Sequence, residues 1–449
     1  MKRLFVMGLL CLLVLAAVLP VTSAANPVKL TYVFWGGPEE KEALEGALKS
    51  FEAAHPGITV EPMYIPAEQT SEYMTKMKGL LQAGNLPDMG YFREEEVGAW
   101  GTSGNLLELD SYIAKDNLRK AYLPGIWMTV KGKTYGAFGA VECQVMFYNK
   151  DVLQKAGVPT PPTDYKKAWT WSQFVNYCKK ITTDKNGKHP GDAGFDPDQI
   201  VRYGVSYGLW WGMLVPPIWS NGGEVVSTDG KNFMMDQAGA ADAIQKLADL
   251  INKDHVMPYV APGANNGLPA SNVMLANGQL GFLADGQWSL LGLSQMKFPL
   301  GVCALPILKK PAQMFLSGAT VIFKQTKHPK EAWELQKWMM SPDKVQNLYN
   351  IGLWMPTRAD WFNNPDNIKK WTDNAAHPQG FKEAVIDSMK VARLAPFAPV
   401  KNFGAMWNEC IGPELDKVWM GKATAKEAMK AAKEQIKKRN LLQGTWFKF

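Results

Sequence analysis

The chain has few of the residues that metal centres and acid–base catalysis need. Only five of its 449 residues are histidine, and it contains neither a Walker phosphate loop nor an H-E-x-x-H motif. His55, His189, His328 and His377 each directly precede a proline, which favours exposed turns over metal ligation or general-base catalysis. We therefore expect no metal site and no cofactor.

The chain also lacks the positive charge of a nucleic-acid-binding protein. It has 49 Lys and Arg against 42 Asp and Glu, a formal charge of +7, and no long basic block before its C-terminal helix. A charge of this size favours solubility more than an electrostatic footprint for nucleic acid. We expect no nucleic-acid partner and a monomeric protein.

Only the N-terminus has a long apolar run. Lys2 and Arg3 precede the apolar residues 4–21, and four small residues follow. This order is typical of a secretory signal, so residues 1–25 are predicted to be cleaved; the alternative is a retained membrane anchor. Cys11 lies inside the apolar run rather than after small residues, which favours a periplasmic protein over a lipoprotein.

Cysteine is scarce after residue 25. The four that remain are Cys143, Cys178, Cys303 and Cys410, at long and irregular spacings. Such spacings form neither a metal-binding motif nor a compact disulfide framework. We expect buried free thiols, although the sequence leaves pairing in an oxidising compartment open.

The mature N-terminus alternates between strand and helix patterns. Residues 28–34 (VKLTYVF) alternate as a β-strand does, and residues 58–61 resume that pattern. Between them, one helical stripe consists of Leu44, Ala47, Leu48 and Phe51. A β-α-β unit of this kind predicts an α/β fold with a parallel sheet.

Short motifs recur in a specific order over the whole mature chain. They are residues 51–57 (FEAAHPG), 84–88 (GNLPD), 104–109 (GNLLEL), 139–142 (GAVE), 147–153 (FYNKDVL), 156–159 (AGVP), 170–174 (TWSQF), 221–223 (NGG), 286–288 (GQW), 305–306 (LP), 332–334 (AWE) and 352–358 (GLWMPTR). Their order resembles that of the extracellular solute-binding proteins of carbohydrate ABC importers, the maltodextrin-binding-like family.

The resemblance implies a two-lobed periplasmic binding protein fold of type II. Both lobes are α/β, crossing strands join them as a hinge, and a ligand binds in the cleft between them. On this basis we predict an N-terminal lobe of residues 26–138 and about 289–345, and a C-terminal lobe of residues 139–288 and about 346–449. The implied function is to bind a mono- or oligosaccharide and deliver it to the membrane permease of the importer.

Tryptophan is the residue on which apolar sugar faces stack, and the chain has 17. Trp288 follows a glycine after a strand and matches the family's stacking tryptophan. The other aromatic candidates are chosen by family position or by their place at a strand end or turn, and each fits the protein core as an alternative: Trp35, Trp210, Trp211, Trp354 and Trp407.

The polar candidates are groups that hydrogen-bond sugar hydroxyls. Glu142 lies on the presumed crossing strand and matches a family carboxylate. Arg93 and Glu94 follow a strand in which Phe92 occupies the family's aromatic position. The remaining candidates are Glu39, which with Glu40 begins a helix at the cleft edge, Asp285 and Arg358.

Two other functions stay open at this point. Glycoside-cleaving enzymes need two carboxylates across a cleft, and many Asp and Glu residues exist here, so a secreted carbohydrate-active enzyme is one alternative. The same receptor fold binding a metal complex, a polyamine or a peptide is the other. No adjacent tyrosine pair occurs, which disfavours an iron receptor.

Overall fold

The structure is a computed structural model that describes residues 27–66, 70–260, 267–396 and 400–442. The predicted secretory signal, residues 1–25, lies outside these ranges. Within them, no helix has the length and apolarity needed to cross a bilayer.

The chain alternates strands and helices throughout. The strands are β1 (Val28–Trp35), β2 (Ile58–Ile65), β3 (Met89–Phe92), β4 (Trp127–Val130), β5 (Lys133–Phe138), β6 (Gln144–Asn149), β7 (Thr183–Asp184), β8 (Ile200–Tyr207), β9 (Leu280–Gly286), β10 (Leu300–Cys303), β11 (Gln313–Phe315), β12 (Ala319–Ile322) and β13 (Ala392–Leu394).

The α-helices pack around these strands. They are α1 (Pro38–Ala54), α2 (Thr70–Gln82), α3 (Glu94–Thr102), α4 (Asp110–Lys115), α5 (Lys150–Lys155), α6 (Trp171–Ile181), α7 (Trp211–Ser220), α8 (Ala238–Asn252), α9 (Ser271–Ala276), α10 (Leu290–Leu293), α11 (Pro329–Met339), α12 (Gln346–Asn350), α13 (Ala359–Asn363), α14 (Pro365–Thr372), α15 (Phe403–Met406), α16 (Gly412–Trp419) and α17 (Ala425–Lys438).

Two large sheets define two lobes. The first lobe is built on a six-stranded sheet of order β2-β1-β3-β12-β5-β4, and the second on a five-stranded sheet of order β10-β6-β9-β8-β7. A third, two-stranded sheet pairs β11 with β13. The mixed sheets with flanking helices confirm the predicted α/β class.

The predicted N-terminal β-α-β unit is present. Strands β1 and β2 pair in parallel from Val28 opposite Ile58 to Trp35 opposite Ile65. Helix α1 connects them and buries the predicted stripe of Leu44, Ala47, Leu48 and Phe51. Burying this stripe against the sheet fixes α1, and with it the helix start that faces the cleft.

The chain crosses from one lobe to the other between β5 and β6 and returns between β10 and β12. These crossing segments are hydrogen-bonded to each other and to the chain after α12. The amide of Val141 donates to the carbonyl of Met355 at 2.9 Å, and that of Glu142 donates to the carbonyl of Leu316 at 3.0 Å. The segments therefore form one connected layer at the base of the cleft.

The lobe boundaries differ from those predicted. Strand β10 pairs antiparallel with β6 and so belongs to the second lobe, although it lies within the predicted first-lobe range 289–345. Conversely, α12 contacts α1, and Arg358 pairs with Tyr122, so the chain just after residue 345 stays in the first lobe. The boundaries are set by strand pairing between distant parts of the chain, which no local pattern records.

All four cysteines after residue 25 are buried and free. Cys143 and Cys303 lie in or beside the second sheet, Cys178 in α6, and Cys410 near the start of α16. Burial raises the pKa of the Cys178 thiol well above its usual range. The prediction of buried free thiols is confirmed.

One histidine departs from the prediction of exposed turns. His377 is buried, with its ring centroid 4.6 Å from that of Phe381 and 5.8 Å from that of Trp371. Its Nδ1 lies 3.1 Å from Oδ1 of Asn374, while its Nε2 has no hydrogen-bond partner. Burial lowers the pKa of His377 to about 4, because a proton on Nε2 would be charged and unpaired there.

Acid should destabilise the protein through His377. An unfolded histidine has a pKa of about 6.5, so the unfolded state binds a proton that the folded state excludes as the pH falls from about 6.5 to about 4. We expect the free energy of unfolding, measured in urea at about pH 7 and about pH 4.5, to fall by about 1–3 kcal/mol more in the wild type than in His377→Phe. Parallel losses in the two proteins would contradict this role.

Candidate functional site

A cavity of about 510 Å³ lies between the two lobes. Nine of the twelve residues predicted to bind ligand line it. These are Trp35, Arg93, Glu94, Glu142, Trp210, Trp211, Asp285, Trp288 and Trp407. The lining is completed by Glu40, Tyr91, Leu316, Gly318, Leu353 and Asn408.

Strand ends bring these residues together. β1 and β3 are parallel, so Trp35 at the end of β1 lies at the same sheet edge as Arg93 and Glu94, which directly follow β3. β8 and β9 are also parallel, and Trp210 and Trp288 follow them. Ligands in open α/β sheets bind at the carboxyl ends of strands, and here two such edges face one cavity.

Two stacked aromatic rings form the first-lobe wall. The ring centroids of Trp35 and Tyr91 are 4.4 Å apart with 22° between the planes. The Tyr91 hydroxyl donates to Oε1 of Glu142 at 3.0 Å and accepts from the amide of Gly318 at 3.1 Å. A Cβ at position 318 would lie 2.3 Å from the Tyr91 ring, so the wall needs a glycine there.

Three indoles form the second-lobe wall. The centroid of Trp210 is 5.9 Å from that of Trp288 and 5.5 Å from that of Trp211. A Cβ at Gly286 would lie 2.2 Å from the Trp288 ring, so this glycine lets the indole fold back over the end of β9. Trp210 and Trp288 are only half-buried, which leaves ring surface available to a ligand.

Four carboxyl groups line the same cavity, and burial raises the pKa of each. Burial and the nearby charge of Glu142 raise the pKa of Glu40 to about 8. Burial raises the pKa of Glu142 to about 7 against the opposing effects of the Tyr91 hydrogen bond and of Arg93. Burial raises the pKa of Glu94 well above its usual range and raises that of Asp285, although Asp285 accepts from the Ser289 hydroxyl at 2.6 Å.

Arg93 is the single cationic side chain among the lining residues. Its Nε and Nη2 donate to Oε1 of Glu95 at 3.0 and 2.6 Å. Its guanidinium also lies 5.9 Å from the ring centroid of Trp35. The charge of Arg93 is therefore largely engaged by its own neighbours.

Three predicted site residues do not line the cavity. Trp354 is 1% exposed and packs behind Tyr91, with 5.5 Å between their ring centroids. Glu39 is exposed, because successive helical residues point about 100° apart and Glu40 takes the inward direction. Arg358 is paired with Asp360 on the outer surface of the first lobe, with Nε–Oδ1 and Nη2–Oδ2 distances of 3.0 and 2.7 Å.

Tyr91 is the main lining residue that the prediction missed. The resemblance puts Phe92 in the family's aromatic position, but Phe92 is fully buried against Trp100. Neighbouring strand residues face opposite sides, so Tyr91 and Arg93 share the cleft side. The sequence shows this alternation, but it does not show which of the alternating residues of the short strand β3 face the cleft.

Two features of catalytic sites, a serine at a nucleophile elbow and a metal-binding group, are absent from the described ranges. Residues 204–208 (GVSYG) have the G-x-S-x-G spacing of a nucleophile elbow, but Ser206 lies within β8, paired opposite Leu283, rather than at a sharp turn. Its hydroxyl is hydrogen-bonded to Ser271 at 2.8 Å. No group of three or more His, Cys, Asp or Glu side chains in these ranges is arranged to hold a metal ion.

The raised pKa of Glu142 predicts a pH dependence of stability. Between about pH 4.5 and about pH 7 an unfolded Glu142 ionises while the folded carboxyl keeps its proton, so the folded state loses stability as the pH rises. Over this range we expect the free energy of unfolding of the wild type to fall by about 1–3 kcal/mol relative to that of Glu142→Gln. Glu39→Gln, an exposed neighbour of the cleft, is the control and should follow the wild type.

Comparison with known proteins gives consistent results. The chain matches a bacterial extracellular solute-binding protein family over residues 46–379. The maltodextrin-binding protein MdxE of Bacillus subtilis is 23% identical over 411 residues, which cover 89% of this chain and 88% of that protein. The maltotriose-binding protein of Pyrococcus abyssi is 23% identical over 379 residues, covering 82% of this chain and 73% of that protein.

Solved structures share the fold. An ABC substrate-binding protein from Listeria monocytogenes, solved in complex with cycloalternan, superposes with a TM-score of 0.80 at 23% identity, covering 93% of this chain and all of the other. The predicted two-lobed periplasmic binding protein fold is thereby confirmed. With the family match spanning most of its length, the chain belongs to the bacterial extracellular solute-binding protein family.

Proposed function

We propose that the chain is the solute-binding receptor of an ABC-type carbohydrate importer and that the interlobe cavity holds a mono- or oligosaccharide. The observation that carries the proposal is the lining itself, which combines five tryptophans and a tyrosine with four carboxyl groups. Sugar rings present apolar C–H faces and a rim of hydroxyls, and these two kinds of surface need aromatic rings and hydrogen-bonding groups respectively.

In this proposal each lobe supplies one of the two aromatic walls that contact the sugar. A sugar ring in the cavity would stack on Trp35 from the first lobe and on Trp210 or Trp288 from the second. Glu142, at the base of the cleft, is placed to accept from sugar hydroxyls while Tyr91 orients its carboxylate. Contacts to both lobes are made together only when the lobes close, which gives the ligand its means of favouring the closed state.

The relatives support a carbohydrate as the ligand. Several carry names that state a malto-oligosaccharide or galacto-oligosaccharide as the bound molecule. Their low identity leaves the particular sugar open. In this proposal the closed, loaded receptor docks on the membrane permease, and the protein reaches the periplasm as a monomer after removal of residues 1–25.

The receptor role excludes turnover, which separates it from a secreted carbohydrate-active enzyme. Tyr91 holds Glu142, and Ser289 and Trp210 hold Asp285, so two of the four carboxyls are engaged by protein donors. Purified protein incubated with a bound sugar should return that sugar intact. Appearance of hydrolysis products would favour the enzyme.

Thermal unfolding of residues 26–449 against a panel of mono- and oligosaccharides tests the function directly. A ligand at 100 times its dissociation constant should add about 2.7 kcal/mol to the free energy of unfolding and raise the Tm. One sugar or one related series should give this shift. An unchanged Tm across the whole panel would contradict the carbohydrate proposal.

Trp288→Ala should weaken sugar binding while the fold is kept. Trp288 is half-buried on the second-lobe wall, so its loss removes a stacking surface, and we expect at least about a tenfold increase in Kd by calorimetry. Trp169→Ala is the matched control, since Trp169 is also half-buried in the second lobe but packs on Tyr177 away from the cavity. Equal affinity in wild type and Trp288→Ala would refute the stacking role.

A further inference from the structure

The interlobe cavity is rich in carboxyl groups, in contrast to the net positive charge of the chain. The chain has 49 basic and 42 acidic residues, yet the cavity is lined by four carboxyl groups and one guanidinium. The four carboxyls come from both lobes and from a crossing segment: Glu40, Glu94, Asp285 and Glu142. The fold thus gathers acidic groups from distant parts of the chain around one cavity.

The one guanidinium serves several carboxyls at once. Arg93 directs both Nε and Nη2 at Glu95, a carboxylate outside the cavity lining. The charge of Arg93 also lowers the pKa of Glu94 and of Glu142, yet the pKa of each stays raised, so one guanidinium does not balance Glu95 and the four lining carboxyls. Burial without enough counter-charge keeps protons on Glu40 and Glu142 up to about neutral pH. A ligand that supplies a positive charge would let such carboxyls ionise and pair with it.

Glu94 makes this need most acute. It is 2% exposed, lines the cavity, and begins α3 directly after β3. Among the described residues, the hydrogen bond recorded for its carboxylate comes from its own backbone amide, and no side chain donates to it. A carboxylate can accept about four hydrogen bonds, so Glu94 has capacity left for a donor on the ligand.

The aromatic walls that suit sugar faces also suit a cation. Indole and phenol faces attract ammonium and guanidinium groups within about 6 Å of the ring centroid. Arg93 already uses Trp35 in this way at 5.9 Å. Metal ions do not fit the same lining, since the described carboxyls form no group arranged for ligation and the walls are indoles.

We propose that the sugar bound in this cavity carries a protonated amine, so that the ligand class is an amino sugar or an amino-substituted oligosaccharide. This inference rests on the proposed carbohydrate function and specifies its ligand. The ammonium would pair with Glu94 and Glu142, while the ring faces stack on Trp35 and Trp288. A neutral sugar offers the same faces and hydroxyls without the positive charge.

Matched sugar pairs test the proposal on the wild-type protein. Each pair has a hydroxyl in one member and an amine in the other: glucose and glucosamine, galactose and galactosamine, cellotriose and the β-1,4-linked glucosamine trimer. Maltotriose and spermidine are added as a neutral oligosaccharide and a cation without a sugar. Calorimetry at about pH 6, where a sugar amine is protonated, should give at least one amine member a Kd at least about tenfold below that of its partner.

Glu94→Gln tests the residue that carries the inference. This variant keeps the shape of the side chain and removes its ability to ionise, so the preference for the amine over the hydroxyl member should fall at least about fivefold. Glu42→Gln, which removes an exposed carboxylate from α1, should keep the full preference. The N-acetylated trimer, whose nitrogen is uncharged, should lose the advantage of the amine.

The outcomes separate this inference from the proposed function. If maltotriose or a hydroxyl member binds as tightly as any amine sugar, the amine inference is overturned and the carbohydrate function stands. If spermidine binds and no sugar does, the carbohydrate function is overturned. An amine preference that Glu94→Gln leaves unchanged overturns the assignment to this carboxyl cluster.

Discussion

The cleft depends on hydrogen bonds that hold the crossing segments together at its base. Two buried glutamines contribute most visibly: Gln313 Nε2 donates to the carbonyl of Gln144 at 2.7 Å, and Gln287 Nε2 donates to that of Leu353 at 3.0 Å. Both side chains span segments that are distant in sequence. Because these buried amides have no water to replace a lost partner, they fix the relative position of the crossing segments, one of which carries Glu142.

The cavity joins two demands that oppose each other. Aromatic rings exclude water from the cavity, which strengthens every polar contact between the protein and a ligand. The same exclusion of water raises the pKa of each carboxyl that makes no polar contact with a ligand. The protein moderates this conflict locally by giving Glu142 the Tyr91 hydroxyl and Asp285 the Ser289 hydroxyl. The cavity is therefore a place where the chain gives up stability, which a ligand bound there in the proposed way would restore.

Sequence reasoning reached the fold and most of the lining because both leave local signals. A β-branched strand that ends in a tryptophan before two glycines marks the position of Trp35, and a glycine shortly before an indole marks that of Trp288. It failed to identify Tyr91 rather than Phe92 as the aromatic residue that faces the cavity. A shift of one residue along a strand exchanges its two faces, so the choice depends on which face points inward. The predicted lobe boundaries differ from those of the structure for another reason: the pairing of β10 with β6 joins segments that are about 150 residues apart in the sequence.

The interleaving of the chain between lobes also bears on when the protein folds. The first sheet needs β12, and the second lobe packs α17 against α8. Neither lobe consists of one continuous stretch, so neither is complete until the chain beyond residue 319 is available, and the cavity waits for Trp407. Contacts this distant in sequence form slowly, because loop closure precedes the packing that stabilises it. The same topology that builds a cleft between two lobes therefore delays compaction, a property compatible with export as an unfolded chain.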